Sequence, residues 1–248
     1  MTVSDSKTGW TSRSIGSRFQ HHFFYFLIKL GGRHLSYFIM YFVVAWYVLC
    51  VPSVRKKTDP YLKKRFKNSS SAVMIVHRFR MVTGLAKTLI DRAIVGILGT
   101  GHVNAEFINK DKIKEIKGLE NGFILLMSHV GCWQVAMSAL SSFGKPVNLL
   151  MQQNEEDVDK HYYEHGGRQS PFNIINPEGF LGGAIEMLHV LKEGEILCIM
   201  GDRVFGDTST SLHVTFLDET ACFPFSAFKI ASLSRKPVVV LYSFKSDP

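Results

Sequence analysis

Residues 122–136 read GFILLMSHVGCWQVA. The apolar run Phe123–Met127 has the length of a buried strand. Ser128, His129, Val130 and Gly131 interrupt it, and from Cys132, Trp133 and Gln134 the pattern turns helical. Strand, turn and helix in that order make up the repeating unit of a parallel α/β sheet. Ligands in such sheets bind beyond the carboxyl ends of the strands. His129 therefore stands where reactive groups are held, and the start of the next helix turns free N–H groups towards the same point. A histidine there can serve as a general base with little reorganisation. A histidine that only caps or packs is the competing reading.

The same alternation continues downstream. Short apolar runs at Val147–Met151, Asn173–Ile175, Ile196–Met200, Leu212–Phe216 and Val238–Tyr242 are separated by helical stretches at Gln134–Ser142, Glu155–His165, Phe180–Glu193 and Ser226–Ser234. The fold class expected is α/β, with a mostly parallel central sheet flanked by helices. Upstream the texture differs. Residues 1–18 are small and polar, and Phe19–Leu30 is rich in aromatics and ends at Gly31–Gly32. Leu35 to Val54 then runs 20 residues without a formal charge, just long enough to cross a hydrocarbon core. Tyrosine and tryptophan within the run suit a shallow interfacial helix better than a clean span. The run begins too late and is too long for a signal peptide. Residues 58–71 read as a basic connector, and Ala72–Leu98 as an amphipathic helix with Met74, Phe79, Val82, Leu85 and Leu89 near helical spacing. Two domains are expected: a membrane-anchoring segment over 1–57 and an α/β domain over 58–248.

Charge agrees with that division. The 248 residues carry a net charge of +8, yet residues 1–100 hold 16 Lys/Arg against 3 Asp/Glu, and the remainder is net negative. A basic, aromatic region can face nucleic acid or membrane. Nucleic-acid surfaces interleave exposed aromatics with charge, whereas here the aromatics lie in unbroken apolar runs, which favours membrane over nucleic acid. Cys50, Cys132, Cys198 and Cys222 form no C-x-x-C pair and read as reduced thiols, neither a disulfide framework nor a zinc site.

SHVGCWQVA resembles the H-x4-D/E motif of the glycerolipid acyltransferases, and in particular the late lauroyl/myristoyl-type acyltransferases of lipid A biosynthesis. INPEGFLGGAIEMLHVLKEGEILCIMGDRV (175–204) is similar to that family's second conserved region, and FLDETACFPFSAFKIASLSRKPVV (216–239) to its third. The wording IMGDRV resembles that of a branch that serves aryl polyene and flexirubin-type pigment lipids, and one sequence does not separate the two branches. The resemblance implies transfer of a fatty acyl group from an acyl carrier protein or acyl-CoA thioester to a hydroxyl of a lipid or glycolipid acceptor. It also implies a bacterial inner-membrane location with the catalytic domain facing the cytoplasm, and no metal or redox cofactor.

On that pattern His129 is the base. The family's acidic partner falls on Gln134, a departure, because an amide can orient an imidazole but cannot balance its charge. Asp202, expected at the carboxyl end of Ile196–Met200, is the best substitute. The arginine that the family commonly places after the strand Val147–Met151 is absent, since Gln152 and Gln153 stand there, and Arg203 could supply its charge. Ser128, Gly131 and Trp133 complete the expected substrate-binding set, with backbone N–H groups of 131–133 as oxyanion donors.

Other motifs compete less well. HYYEH (161–165) matches the H-x-x-E-H zinc pattern, but Gly166–Gly167 end its helix at once. LGTGH (98–102) lacks the strand a dinucleotide loop needs, and no G-x-S-x-G is present. Cys132 is the remaining candidate for an acyl-enzyme. A lipid-binding protein that kept the fold without catalysis stands as the alternative from another class, supported by Gln134.

Overall fold

In the computed structural model, residues 18–102, 106–152, 172–204 and 211–245 are described. Residues 1–17 of the expected tail, and the helix expected at Glu155–His165 with its H-x-x-E-H motif, lie outside them. Three helices come first: α1 (Arg18–Cys50), α2 (Pro52–Arg65) and α3 (Ser71–Leu98). There follow α4 (Lys110–Lys117), β1 (Phe123–Met127), α5 (Trp133–Ala139), β2 (Val147–Leu150), β3 (Asn173–Ile175), α6 (Ala184–Lys192), β4 (Ile196–Met200), β5 (Ser211–Phe216), β6 (Glu219–Pro224), α7 (Ser226–Ser234) and β7 (Val238–Leu241).

Five strands form one parallel sheet in the order β3-β2-β4-β1-β7. The two faces of β1 and β4 are both buried, which explains their continuous apolar runs. Phe123, Leu125, Met127, Ile196 and Cys198 pack with Trp133, Met137 and Leu140 of α5 and its 3₁₀ extension. On the other face, Ile124, Leu197 and Ile199 pack with Met187 and Leu191 of α6 and with Ala227 and Ile230 of α7. This is the flanked parallel sheet that the alternation predicts. One strand departs from expectation. Leu212–Phe216 does not join the sheet but pairs antiparallel with β6 in a separate hairpin. The hairpin is tied to the end of α2 by Lys64 on Glu219 and by Lys67 on Asp218.

The N-terminal helices also differ from their sequence reading. Phe19–Leu30 and Leu35–Cys50 form a single helix with a kink at Gly32, whose φ of 61° no ordinary helical residue adopts. Pro52 opens α2 at a position where a missing N–H costs nothing. The expected connector is therefore helical through Arg65, and the 57/58 boundary falls inside α2. Its polar composition hides a narrow stripe, since Val54, Thr58 and Leu62 recur every four residues and are all buried. α1 lies along α3, with Ile28, Met40, Val44 and Val48 against Ile90 and Ile94.

A buried arginine fastens α2 to α3. Arg78 is 5% exposed; its Nε donates to Thr58 Oγ1 at 3.0 Å and its guanidinium pairs with Asp59. The hydrogen bond from Arg78, assisted by Lys63, holds the Asp59 carboxyl below its ordinary range. Asp59 thus stabilises the fold above the usual carboxylate pKa of about 4, and the contribution is lost as pH falls through its lower folded value. Asp59→Asn should lower stability at neutral pH by about 1–3 kcal/mol, the cost of a buried guanidinium left without its anion. In acid the variant and the parent should converge. Thermal unfolding in detergent from neutral to acid pH checks this; coincident curves at pH 7 would remove the pair as a fastening.

Candidate active site

The site is set by strand register. In the central rows of the sheet Met127 pairs with Met200 on one side and with Leu241 on the other. Two residues beyond that row come His129, Asp202 and Ser243. Parallel strands in register thus deliver three polar side chains to one rim, although the three are far apart in the chain.

Asp202 grips His129 twice. Its Oδ2 accepts the backbone N–H of His129 at 2.7 Å, and its Oδ1 faces the ring Nδ1 at 2.9 Å. An ionised carboxylate only accepts, so in the neutral ring the proton belongs on Nδ1 and the lone pair on Nε2. The first contact fixes the turn and the second the ring. The side chains of His129 and Asp202 are 34% and 28% exposed, open enough for a substrate to reach Nε2. The arrangement is that of a carboxylate-oriented base, with the carboxylate placed to stabilise the imidazolium that forms when Nε2 takes a proton.

Gly131 is shaped by its surroundings. Its φ is 68°, and a Cβ built there would stand 2.2 Å from the carbonyl oxygen of Ser243. The hydroxyl of Ser243 donates to Val130 O at 2.9 Å. Cys132 approaches α3 through Sγ, 3.9 Å from Thr88 O. Trp133 is 7% exposed and its indole belongs to the core, so what it offers the rim is backbone. The Ser128 hydroxyl is enclosed and finds no hydrogen-bond partner among the described residues. Arg203 sits half-buried in the turn beside Asp202. Gln134 occupies the first turn of α5, and its side chain lies outside the described ones. α5 spans seven residues, so the dipole expected at its start is small.

After β2, where the arginine is missing, Gln152 donates to Glu178 and joins the loops that follow β2 and β3. Ser243 is the member of the rim that sequence reasoning does not reach. YSFKS (242–246) carries no motif, and only the register of β7 brings it to the histidine. Burial pushes the Cys198 thiol up, consistent with a packed, inert cysteine.

No curated protein matches the chain. A family model described as bacterial lipid A biosynthesis acyltransferase matches residues 50–247, a stretch that contains α2, α3, the whole sheet and the rim that carries His129 and Asp202. With four-fifths of its length inside that match, the chain belongs to the bacterial lipid A biosynthesis acyltransferase family.

Proposed function

We propose that the protein is a membrane-bound O-acyltransferase that moves a fatty acyl group from a thioester to a hydroxyl of a lipid or glycolipid. The observation that carries this is the double contact of Asp202 with His129, which leaves Nε2 as a base at an open rim. In this reading the acceptor hydroxyl attacks the thioester carbonyl as Nε2 removes its proton. The tetrahedral intermediate collapses, the C–S bond breaks, and the imidazolium returns the proton to the departing thiolate. Ester and free thiol are the products, and Asp202 balances the charge on the ring throughout. The turn 131–133 supplies the backbone donors for the oxyanion. Ser128 and Arg203 border the same rim, and Arg203 brings positive charge to it.

The carboxylate at Asp202 answers the departure at Gln134. The charge that glutamine cannot balance is balanced from the neighbouring strand, which removes the main support for a non-catalytic lipid binder. An acyl carrier protein and an anionic headgroup would both suit the basic α2.

Membrane attachment is supported by α1. Phe19–Cys50 is long and apolar enough to cross a bilayer, and only 22% of its most apolar window is buried. Phe38, Phe42, Trp46 and Leu49 lie three or four residues apart and are all exposed. This stripe faces away from the α1–α3 contact and fits insertion into lipid at a bacterial inner membrane, with the catalytic rim on the cytoplasmic side.

His129→Ala should reduce acyl transfer roughly 10²–10⁴-fold, the worth of a lost general base. The fold should survive, because the ring is a surface group. Undiminished turnover in that variant would overturn the mechanism, and lipid binding would become the better reading. Asp202→Asn should be nearly as costly, about 10³-fold, since an amide can donate to Nδ1 and select the wrong tautomer. Ring ¹⁵N shifts of labelled histidine should show Nδ1 protonated in the parent and the tautomer redistributed in the variant. Gln134→Glu should change the rate little, because Asp202 already occupies Nδ1. Replacing Phe38, Phe42 and Trp46 together by Ser should shift the protein from the membrane towards the soluble fraction without lowering its melting temperature. Comparing cell lipids with and without the protein by mass spectrometry names the acceptor and the acyl chain together.

A further inference from the structure

Beyond the His129–Asp202 contact, the turn that carries the base is braced from a third strand. Ser243 meets it twice: Oγ donates to Val130 O at 2.9 Å, and the Ser243 carbonyl lies against the only face of Gly131 where a side chain would go. Two residues further on, Lys245 donates through Nζ to Asp91 Oδ2 at 2.8 Å and to the Tyr37 hydroxyl, and stands 4.6 Å from the Tyr37 ring centroid. Asp91 belongs to α3 and is 7% exposed. Its other oxygen accepts from Tyr37 at 2.6 Å and lies 3.2 Å from Arg33 Nε, both on α1 just past the kink. A buried carboxylate held by partners from two elements has one arrangement that satisfies it. Residues 242–245 are thus pinned at one end to α1 and α3 and touch the catalytic turn at the other.

We propose that Ser243 is a positioning residue for His129, and that Lys245 on Asp91 holds Ser243 in place, so that the seating of the membrane helix α1 against α3 reaches the base. The inference rests on the acyltransferase reading for its kinetic consequence, but not for its structural one. The turn 128–132 belongs to no helix or strand, and Val130 is 53% exposed. Without the Ser243 bond the Val130 carbonyl turns to water, and the turn keeps Asp202 and Cys132 as its fastenings. A general base displaced by about 1 Å can lose roughly 10²-fold in rate while substrate binding is retained. A brace acting through the base therefore shows in kcat and not in KM.

The test compares Ser243→Ala, Ser243→Thr and Lys245→Met with Lys236→Ala in the full chain. Lys236 lies just before the opposite end of β7, where Nζ donates to Asn121 O at 2.6 Å, so its loss perturbs the same strand away from the rim. Thioester turnover with a medium-chain acyl donor and ring ¹⁵N shifts of labelled histidine are both recorded. Ser243→Ala should lower kcat roughly 10- to 100-fold with KM for the thioester nearly unchanged. Ser243→Thr, which restores a hydroxyl, should recover most of the loss. Lys245→Met should show the same pattern more weakly, and Lys236→Ala should behave as the parent. Among the histidine signals, that of His129 should move in Ser243→Ala and Lys245→Met and stay in Lys236→Ala. Parental kcat in Ser243→Ala together with an unmoved His129 signal would overturn the inference. Equal losses in Ser243→Ala and Lys236→Ala would do the same, marking general loosening of β7. If the parent itself turns over no thioester, the acyltransferase reading fails, and the His129 signal alone still decides whether Ser243 positions the ring.

Discussion

The parallel pairing of β1 with β4 is the constraint from which the site follows. Met127 opposite Met200 puts His129 opposite Asp202, and the contact between them needs no further coincidence of loops. A slip of one residue in that pairing would turn every side chain of one strand to the other face, forcing Ile124 or Leu197 into the space that Phe123 or Ile196 now fills. The apolar core on both faces therefore enforces the register that brings His129 to Asp202. Stability and geometry are secured by the same pairing, and the polar rim is carried by the most buried part of the molecule.

The second organising element is α3. It carries Asp91, which collects Arg33, Tyr37 and Lys245, and it carries Arg78, which collects Thr58 and Asp59. Thr88 lies between these two and meets Cys132 of the turn that carries His129. α3 thus combines an apolar contact with α1 and polar joints to α1, to α2 and to the segment after β7. Buried charges in such joints must be matched, since an unpaired one costs several kcal/mol, and matching confines the elements to a single relative placement. The N-terminal helices and the sheet are in this way fastened side by side.

The carboxylate at Asp202 also bears on how an acid–base pair can be built. In the family pattern the acid follows the histidine within one turn–helix segment, and here that position holds Gln134. The partner of Nδ1 comes instead from the end of the neighbouring strand. Electrostatic support for an imidazolium depends on distance and orientation, not on chain separation, so an acid delivered by the sheet can do what an acid on the helix would do.

Much of this could be read from the chain alone. Apolar runs bounded by Gly and polar residues determine β1 and β4, because strands buried on both faces tolerate few polar atoms. Their carboxyl ends single out His129 and Asp202 before any contact is seen. The charge-free aromatic stretch marks the apolar α1 by composition. Tertiary structure alone decided the rest, because it depends on partners that a local stretch of sequence does not name. Leu212–Phe216 reads as a sheet strand until β6 is found beside it, since a short apolar run does not name its partner. Arg78 and Asp91 lie in a helix whose apolar periodicity says nothing of the partners that match them. Ser243 has no signal of its own: a serine near the end of a strand becomes part of the rim only because β7 lies next to β1 in register, and register belongs to the sheet as a whole.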